Sequence, residues 1–123
     1  MITGLDHIQL AHPAGAEDRM RGFYCDLLGM SEIAKPAPLQ GRGGFWAMAG
    51  PLQIHFGVDP GFIPARKAHP TFVIDDLDAL ATRLDAAGYH VTWDESLPGV
   101  RRFFTVDPVG NRIECMEEHA REA

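Results

Sequence analysis

Three histidines and a glutamate, His7, His55, His69 and Glu114, each fall at or inside a short segment of alternating polar and apolar residues. Imidazole nitrogens and a carboxylate are donors that a first-row divalent cation prefers, and strand positions hold such donors rigidly. Two histidines and a carboxylate form a facial triad with open positions. A fourth ligand, His55, leaves about two octahedral positions for vicinal oxygens of a substrate, with the ion as a Lewis acid at an enolate or oxyanion. Glu114 or a metal-bound hydroxide is then the proton carrier. Each residue alone has a plainer reading, since a lone strand histidine is more often a hydrogen-bonded pocket or surface residue than a ligand.

The segments that must carry these residues come in two rhyming sets. Leu5 to Ala11 alternates with the period of a half-buried strand. Met20, Phe23, Tyr24, Leu27 and Leu28 then recur at helical spacing, ending at Gly29 as a left-handed cap. Strand patterns follow over 31–35, 44–49 and 52–58, with Gly50-Pro51 as a turn and a Pro/Gly-rich loop over 36–43. A Pro/Gly-rich break covers 59–64. The second set runs as a strand over 69–74, a helix capped by Asp75-Asp76 with Leu77, Leu80, Ala81, Leu84 and Ala87 as its stripe, and strands over 89–93, 101–106 and 112–117. The order is βαβββ, twice. His7 and His55 sit on the first and last strands of one set, roughly 48 residues apart, and His69 and Glu114 on those of the other, roughly 45 apart, a period that suits one supersecondary unit. Strand parity puts His55 with Gln53, His69 with Thr71 and Glu114 with Arg112, away from the face that a helix covers.

A chain of 123 residues with 46% hydrophobic and 23% charged residues is long enough for one domain with a core. We expect a single domain over 1–123, with modules at about 1–58 and 68–118. The net charge of −6 argues against a nucleic-acid partner. No apolar stretch reaches the roughly 20 residues of a membrane helix, and no basic-then-apolar leader is present, so a cytoplasmic location with no membrane partner is expected. Cys25 and Cys115 lack metal or disulfide-framework spacing and read as buried thiols. His12 reads as a loop residue, while His90 begins a strand and His119 lies in the charged tail. Phe45, Trp46, Met48, Phe103 and Phe104 could line a cavity, although core packing is the usual role of such rings. Arg102 or Arg112 could meet an anionic substrate group; a solvated charge is the plainer role.

Three motifs carry a family resemblance: Phe23-Tyr24-x-x-Leu27-Leu28-Gly29-Met30 after the strand of His7, His69 with Asp75-Asp76-Leu77, and Asp107-Pro108-x-Gly110-Asn111-x-Ile113-Glu114. From about Leu5 to about Glu118 the chain resembles the vicinal oxygen chelate superfamily, which includes glyoxalase I, bleomycin-resistance proteins, fosfomycin-resistance enzymes and extradiol dioxygenases. The resemblance implies an α+β fold of two tandem βαβββ modules in a cupped mixed sheet. It implies His7 and His69 as ligands on the first strand of each module and Glu114 as the ligand on the last, with His55 where glyoxalase I has its other acidic residue. The cofactor implied is a divalent ion (zinc, nickel, manganese or iron(II)), and the chemistry is isomerase, lyase or transferase-like on a small oxygen-bearing substrate. A symmetric homodimer, each site drawing on both subunits, is the assembly implied. The alternative is a metal-free module of the bleomycin-resistance type that sequesters a small molecule or antibiotic.

Overall fold

The structure, a computed structural model, describes residues 1–119. It divides into two compact units, Met1–Ile63 and the chain from Pro64 onward. In the first, β1 (Ile8–His12) pairs in parallel with β4 (Leu52–Val58), and β4 pairs antiparallel with β3 (Phe45–Ala49). Strand β2 (Ser31–Ile33) closes the order β1-β4-β3-β2. The turn at Gly50-Pro51 fixes the register, because Ala49 opposite Leu52 forces Trp46 opposite His55.

The helical segment between β1 and β2 changes geometry halfway. Helix α1 (Glu17–Arg21) starts with Glu17 and Asp18 in its first turn, where they complement the helix dipole, and passes into a wider π-helical turn at Gly22–Leu27. Leu28 N–H reaches back five residues to the Phe23 carbonyl at 3.0 Å, and Gly29 ends the segment at φ +84°. Met20, Phe23 and Tyr24 are fully buried. Tyr24 meets Phe56 at 4.7 Å, and Phe56 stacks on Phe45 at 4.3 Å, so the apolar side of β3 and β4 is the core face. Each such ring contributes about 1.5–3 kcal/mol on burial.

The second unit repeats the plan. Strand β5 (Thr71–Val73) pairs in parallel with β8 (Arg112–Met116), which pairs antiparallel with β7 (Arg102–Val106) and through it β6 (Thr92–Asp94), in the order β5-β8-β7-β6. Helix α2 (Leu77–Ala86) is capped by Asp76, whose side chain accepts from Ala79 N–H at 3.1 Å. It buries Leu77, Leu80 and Leu84 and is followed by Gly88 at φ +90°. The turn into β8 is built on buried Asp107, which accepts from the N–H groups of Val109 and Asn111 and from the Asn111 amide. Two four-stranded mixed sheets in βαβββ order are the α+β architecture expected from the sequence.

Several boundaries differ from the sequence reading. β1 runs Ile8–His12 rather than from Leu5, since pairing starts with Ile8 against Ile54 and Leu5 stays exposed. His7 therefore precedes its strand. His69 does too, because Pro70 has no N–H for the ladder; its carbonyl instead accepts from Glu114 N–H at 3.1 Å. His12 is no loop residue: it closes β1 and is 0% exposed. His90 lies outside β6, which begins at Thr92. Cys115 is buried as expected, and its thiol is pushed up to about 12 by desolvation, whereas Cys25 is partly exposed.

Candidate functional site

The register of β3 and β4 places two of the four expected site residues in one stack. The His55 ring lies parallel to the Trp46 indole at 3.6 Å, and the His7 ring stacks on it at 3.9 Å. Two rings cannot share one face of an imidazole, so His55 is held between them. His55 Nε2 lies 3.1 Å from Gln53 Oε1, which fixes the ring's rotation. Burial pushes the His55 pKa down, the His7 imidazole adds to this, and Asp6 opposes it. His55 is thus kept in the neutral form that binds a metal.

His7 is oriented from behind. Its Nδ1 donates to Asp6 Oδ2 at 2.8 Å, because a carboxylate can only accept. In the neutral ring Nε2 then carries the lone pair. A histidine that gives its second N–H to a carboxylate or a backbone carbonyl is the usual arrangement behind a metal ligand.

The other two expected residues meet in the second unit. Glu114 is 4% exposed. Its Oε1 accepts from Thr71 Oγ1 at 2.8 Å and lies 3.0 Å from His69 Nε2, while Oε2 accepts from Arg102 Nη1 at 3.0 Å. Burial alone would raise the Glu114 pKa; the partners Thr71, His69 and Arg102 together outweigh it and hold the group below its ordinary range. Glu114 is therefore ionised at neutral pH.

The His69 contact has a specific chemical consequence. Its Nδ1 lies 2.8 Å from the Lys67 carbonyl oxygen, an acceptor only, so Nδ1 carries hydrogen. A neutral His69 then aims the Nε2 lone pair at a carboxylate oxygen 3.0 Å away. Two lone pairs that close repel unless a cation lies between them, either a second ring proton or a metal. Two donors each about 2.1 Å from one ion and at right angles to it are about 3.0 Å apart. The His69 and Glu114 atoms fit that test.

The four expected residues thus meet in pairs within each unit: His7 with His55, and His69 with Glu114. Among the described residues no three His, Cys, Asp or Glu side chains group as a metal-holding set. Two other residues take roles that the sequence reading did not assign. Trp46 is part of the His55 stack, which was readable from the Gly50-Pro51 turn, since a two-residue turn already sets Trp46 against His55. Arg102 is the counter-charge of Glu114, with Asp94 Oδ2 at 3.6 Å and Ser96 Oγ at 3.3 Å from Nη2 and its buried Nε without a partner. Nothing local distinguishes it from Arg101, which instead pairs with Asp78 and Glu117. Phe104 takes the guanidinium of Arg112 at 4.3 Å and the edge-on His69 ring at 5.5 Å, while Phe103 is core.

Comparisons with known proteins agree with this architecture. The family model of the Glyoxalase/Bleomycin resistance protein/Dioxygenase superfamily matches residues 4–115. A solved glyoxalase family protein from Bacillus anthracis is 44% identical, with a TM-score of 0.91, over 97% of this chain and 98% of that one. The fosfomycin resistance protein FosX from Listeria monocytogenes, in a mutant form complexed with Mn(II) and 1S,2S-dihydroxypropylphosphonic acid, has a TM-score of 0.81 at 18% identity, over 97% and 95% of the two chains. TnmS3, an antibiotic binding protein from Streptomyces sp. CB03234, has a TM-score of 0.70 at 19% identity, over 96% and 100%. At these low identities the last two show the fold alone. No curated protein matches the chain. Among the described residues no helix is long and apolar enough to cross a membrane.

Proposed function

The chain belongs to the glyoxalase/bleomycin resistance protein/dioxygenase superfamily, and from that premise we propose that it is a metal-dependent enzyme acting on a small oxygen-bearing substrate. His7, His55, His69 and Glu114 are the proposed ligands. The observation that carries the reading is the contact of His69 Nε2 with Glu114 Oε1 at 3.0 Å, with the other ring nitrogen committed to the Lys67 carbonyl, so that in a neutral ring the two facing atoms are both acceptors and an ion fits between them. His7 shares one part of this arrangement, its Nδ1 being committed to Asp6. A divalent ion bound there supplies a Lewis acid to a substrate oxygen. Thr71 and Arg102 fix the Glu114 carboxylate and keep it ionised, so that it can also accept a proton from the substrate. Trp46 holds the His55 ring in place. Each unit offers two of the four donors, and a symmetric homodimer in the cytoplasm is the proposed working form.

Elemental mass spectrometry of the purified protein tests this directly. One divalent ion per chain is expected, with zinc, nickel, manganese or iron(II) the candidates, and its loss on His69→Ala. A protein that neither carries such an ion nor gains thermal stability from any of the four refutes the reading.

A second reading rests on Arg102. Its guanidinium already neutralises Glu114 at 3.0 Å. With His69 protonated, the pair is satisfied without any ion, as in a metal-free module that sequesters a small molecule or antibiotic. In that case His55→Ala and His69→Ala leave ligand affinity nearly unchanged.

A further inference from the structure

Beside the His7–His55–Trp46 stack the first unit holds a cavity of about 530 Å³. Its floor is the polar side of β1 and β4, with Gln9, Gln53 and His55 among the lining. Its rim is the loop between β2 and β3, where a 3-10 turn spans Ala37–Arg42. Both cations of that rim, Lys35 and Arg42, line the cavity. The loop is closed on itself: Lys35 Nζ donates to the Gly43 carbonyl at 2.6 Å, and Gln40 Nε2 donates to the Lys35 carbonyl at 3.1 Å. Its return is anchored at Gly44, whose N–H donates to Glu17 Oε2 at 3.0 Å.

The charge of this cavity runs against that of the chain. The whole sequence carries −6. Yet the lining holds two cations and a single carboxylate, Asp6, which is taken by His7 at 2.8 Å. Three arginines elsewhere are taken up by carboxylates: Arg21 by Asp18 and Glu32, Arg101 by Asp78 and Glu117, and Arg102 by Glu114. Arg42 has no hydrogen bond or ion pair among the described residues, and Lys35 has only a backbone carbonyl. A cleft with walls of one sign concentrates its counter-ion, and a guanidinium is shaped to grip a planar or tetrahedral oxyanion with two N–H groups.

We propose that this cavity binds the oxyanion group of a small organic molecule, a carboxylate or a phosphoryl group, through Arg42 and Lys35. The amides of Gln9 and Gln53 supply neutral donors on the floor, and His7 and His55 border the same space. The assignment deepens the proposed function, on which it rests for the identity of the anion as substrate rather than bystander. It places the charged end of the substrate at the β2–β3 loop, so its reacting oxygen-bearing end lies toward the histidines.

The test uses the full chain, once metal-loaded and once chelator-treated, with benzoate, phenylphosphonate and uncharged benzamide as probes followed by NMR titration at fixed ionic strength. At least one of the two anions is expected to bind about tenfold more tightly than benzamide, the order expected of one charge-assisted contact. Which of the two binds better separates carboxylate from phosphoryl recognition. The preference should fall to near unity in Arg42→Gln and weaken in Lys35→Gln, while Arg66→Gln, an exposed cation outside the cavity, leaves it unchanged. Circular dichroism of the variants checks that they are folded. Benzamide binding as tightly as both anions, or neither anion binding at about 20 mM, overturns the assignment. A preference that needs the metal and survives Arg42→Gln also overturns it while leaving the metal reading standing. An Arg42-dependent preference in a protein that holds no metal has the opposite meaning: the anion site stands and the metal reading falls.

Discussion

Replacing Arg102 by methionine keeps most of the aliphatic volume of the side chain and removes its charge. In the wild type Arg102 Nη1 donates to Glu114 Oε2 at 3.0 Å, in a place where the carboxylate is 4% exposed. A charge-assisted bond to a buried carboxylate is worth about 2–3 kcal/mol, and its loss leaves the acceptor short of one partner. The contacts to Ser96 and Asp94 lie nearer the surface and add little. Against the loss stands a relief of about 1 kcal/mol, since the unpartnered buried Nε disappears with the guanidinium. The net destabilisation is about 1–2 kcal/mol at pH 7, measured by urea unfolding of chelator-treated protein. The pH dependence follows from the same geometry. Glu114 is depressed below its ordinary value of 4.5 by Thr71, His69 and Arg102 acting against burial. Its contribution is therefore present above that value and lost as pH falls through the lower folded value. Arg102→Met removes one of the depressing partners, so the gap between variant and wild type should narrow as pH drops into the carboxylate range. A difference below about 0.5 kcal/mol at pH 7, or one that does not change on acidification, means that Arg102 acts by packing alone and does not hold Glu114.

His55 gives a second pH signature. Its folded pKa lies below the ordinary 6.5 because burial disfavours the charged ring, so its contribution is complete above that value and is lost as pH falls below it. In chelator-treated protein, thermal stability should decline below about pH 6.5, and His55→Phe, which keeps a ring between His7 and Trp46, should flatten that decline; an unchanged slope assigns it to another group. Gly44→Ala tests the loop anchor. At φ +73° a side chain is strained, and a Cβ would overlap the Phe56 carbonyl oxygen. The expected cost is about 2–4 kcal/mol in thermal unfolding, and a melting temperature within about 2 °C of wild type would show that the strand return can shift.

The order of elements was legible because each leaves a local mark. Period-2 alternation in 52–58 became β4 with the same ends, and Asp76 and Gly88 bracketed α2 as read. The duplication was legible too, and with it the pairing of His7 with His55 and of His69 with Glu114 inside each half. The helix after β1 was less so. Its apolar stripe reads as an ordinary helix, but Leu27 and Leu28 are only half-buried and the backbone widens at Gly22–Leu27, a change of hydrogen-bond partner that side-chain spacing does not record. Strand starts at Leu5 and His69 failed for a related reason, since a strand begins where a neighbour offers partners.

Residue types and spacing determined by themselves that this chain is built of two βαβββ modules, and they nominate four side chains as candidate metal ligands. The sequence could not say that His55 is sandwiched between His7 and Trp46, that Arg102 rather than Arg101 neutralises Glu114, or that Lys35 and Arg42 close on one cavity. Periodicity states which face of a strand a residue occupies. Which atoms then meet across that face depends on registers between strands far apart in sequence and on which ion pairs burial makes worth keeping, and both are settled only when the tertiary structure forms.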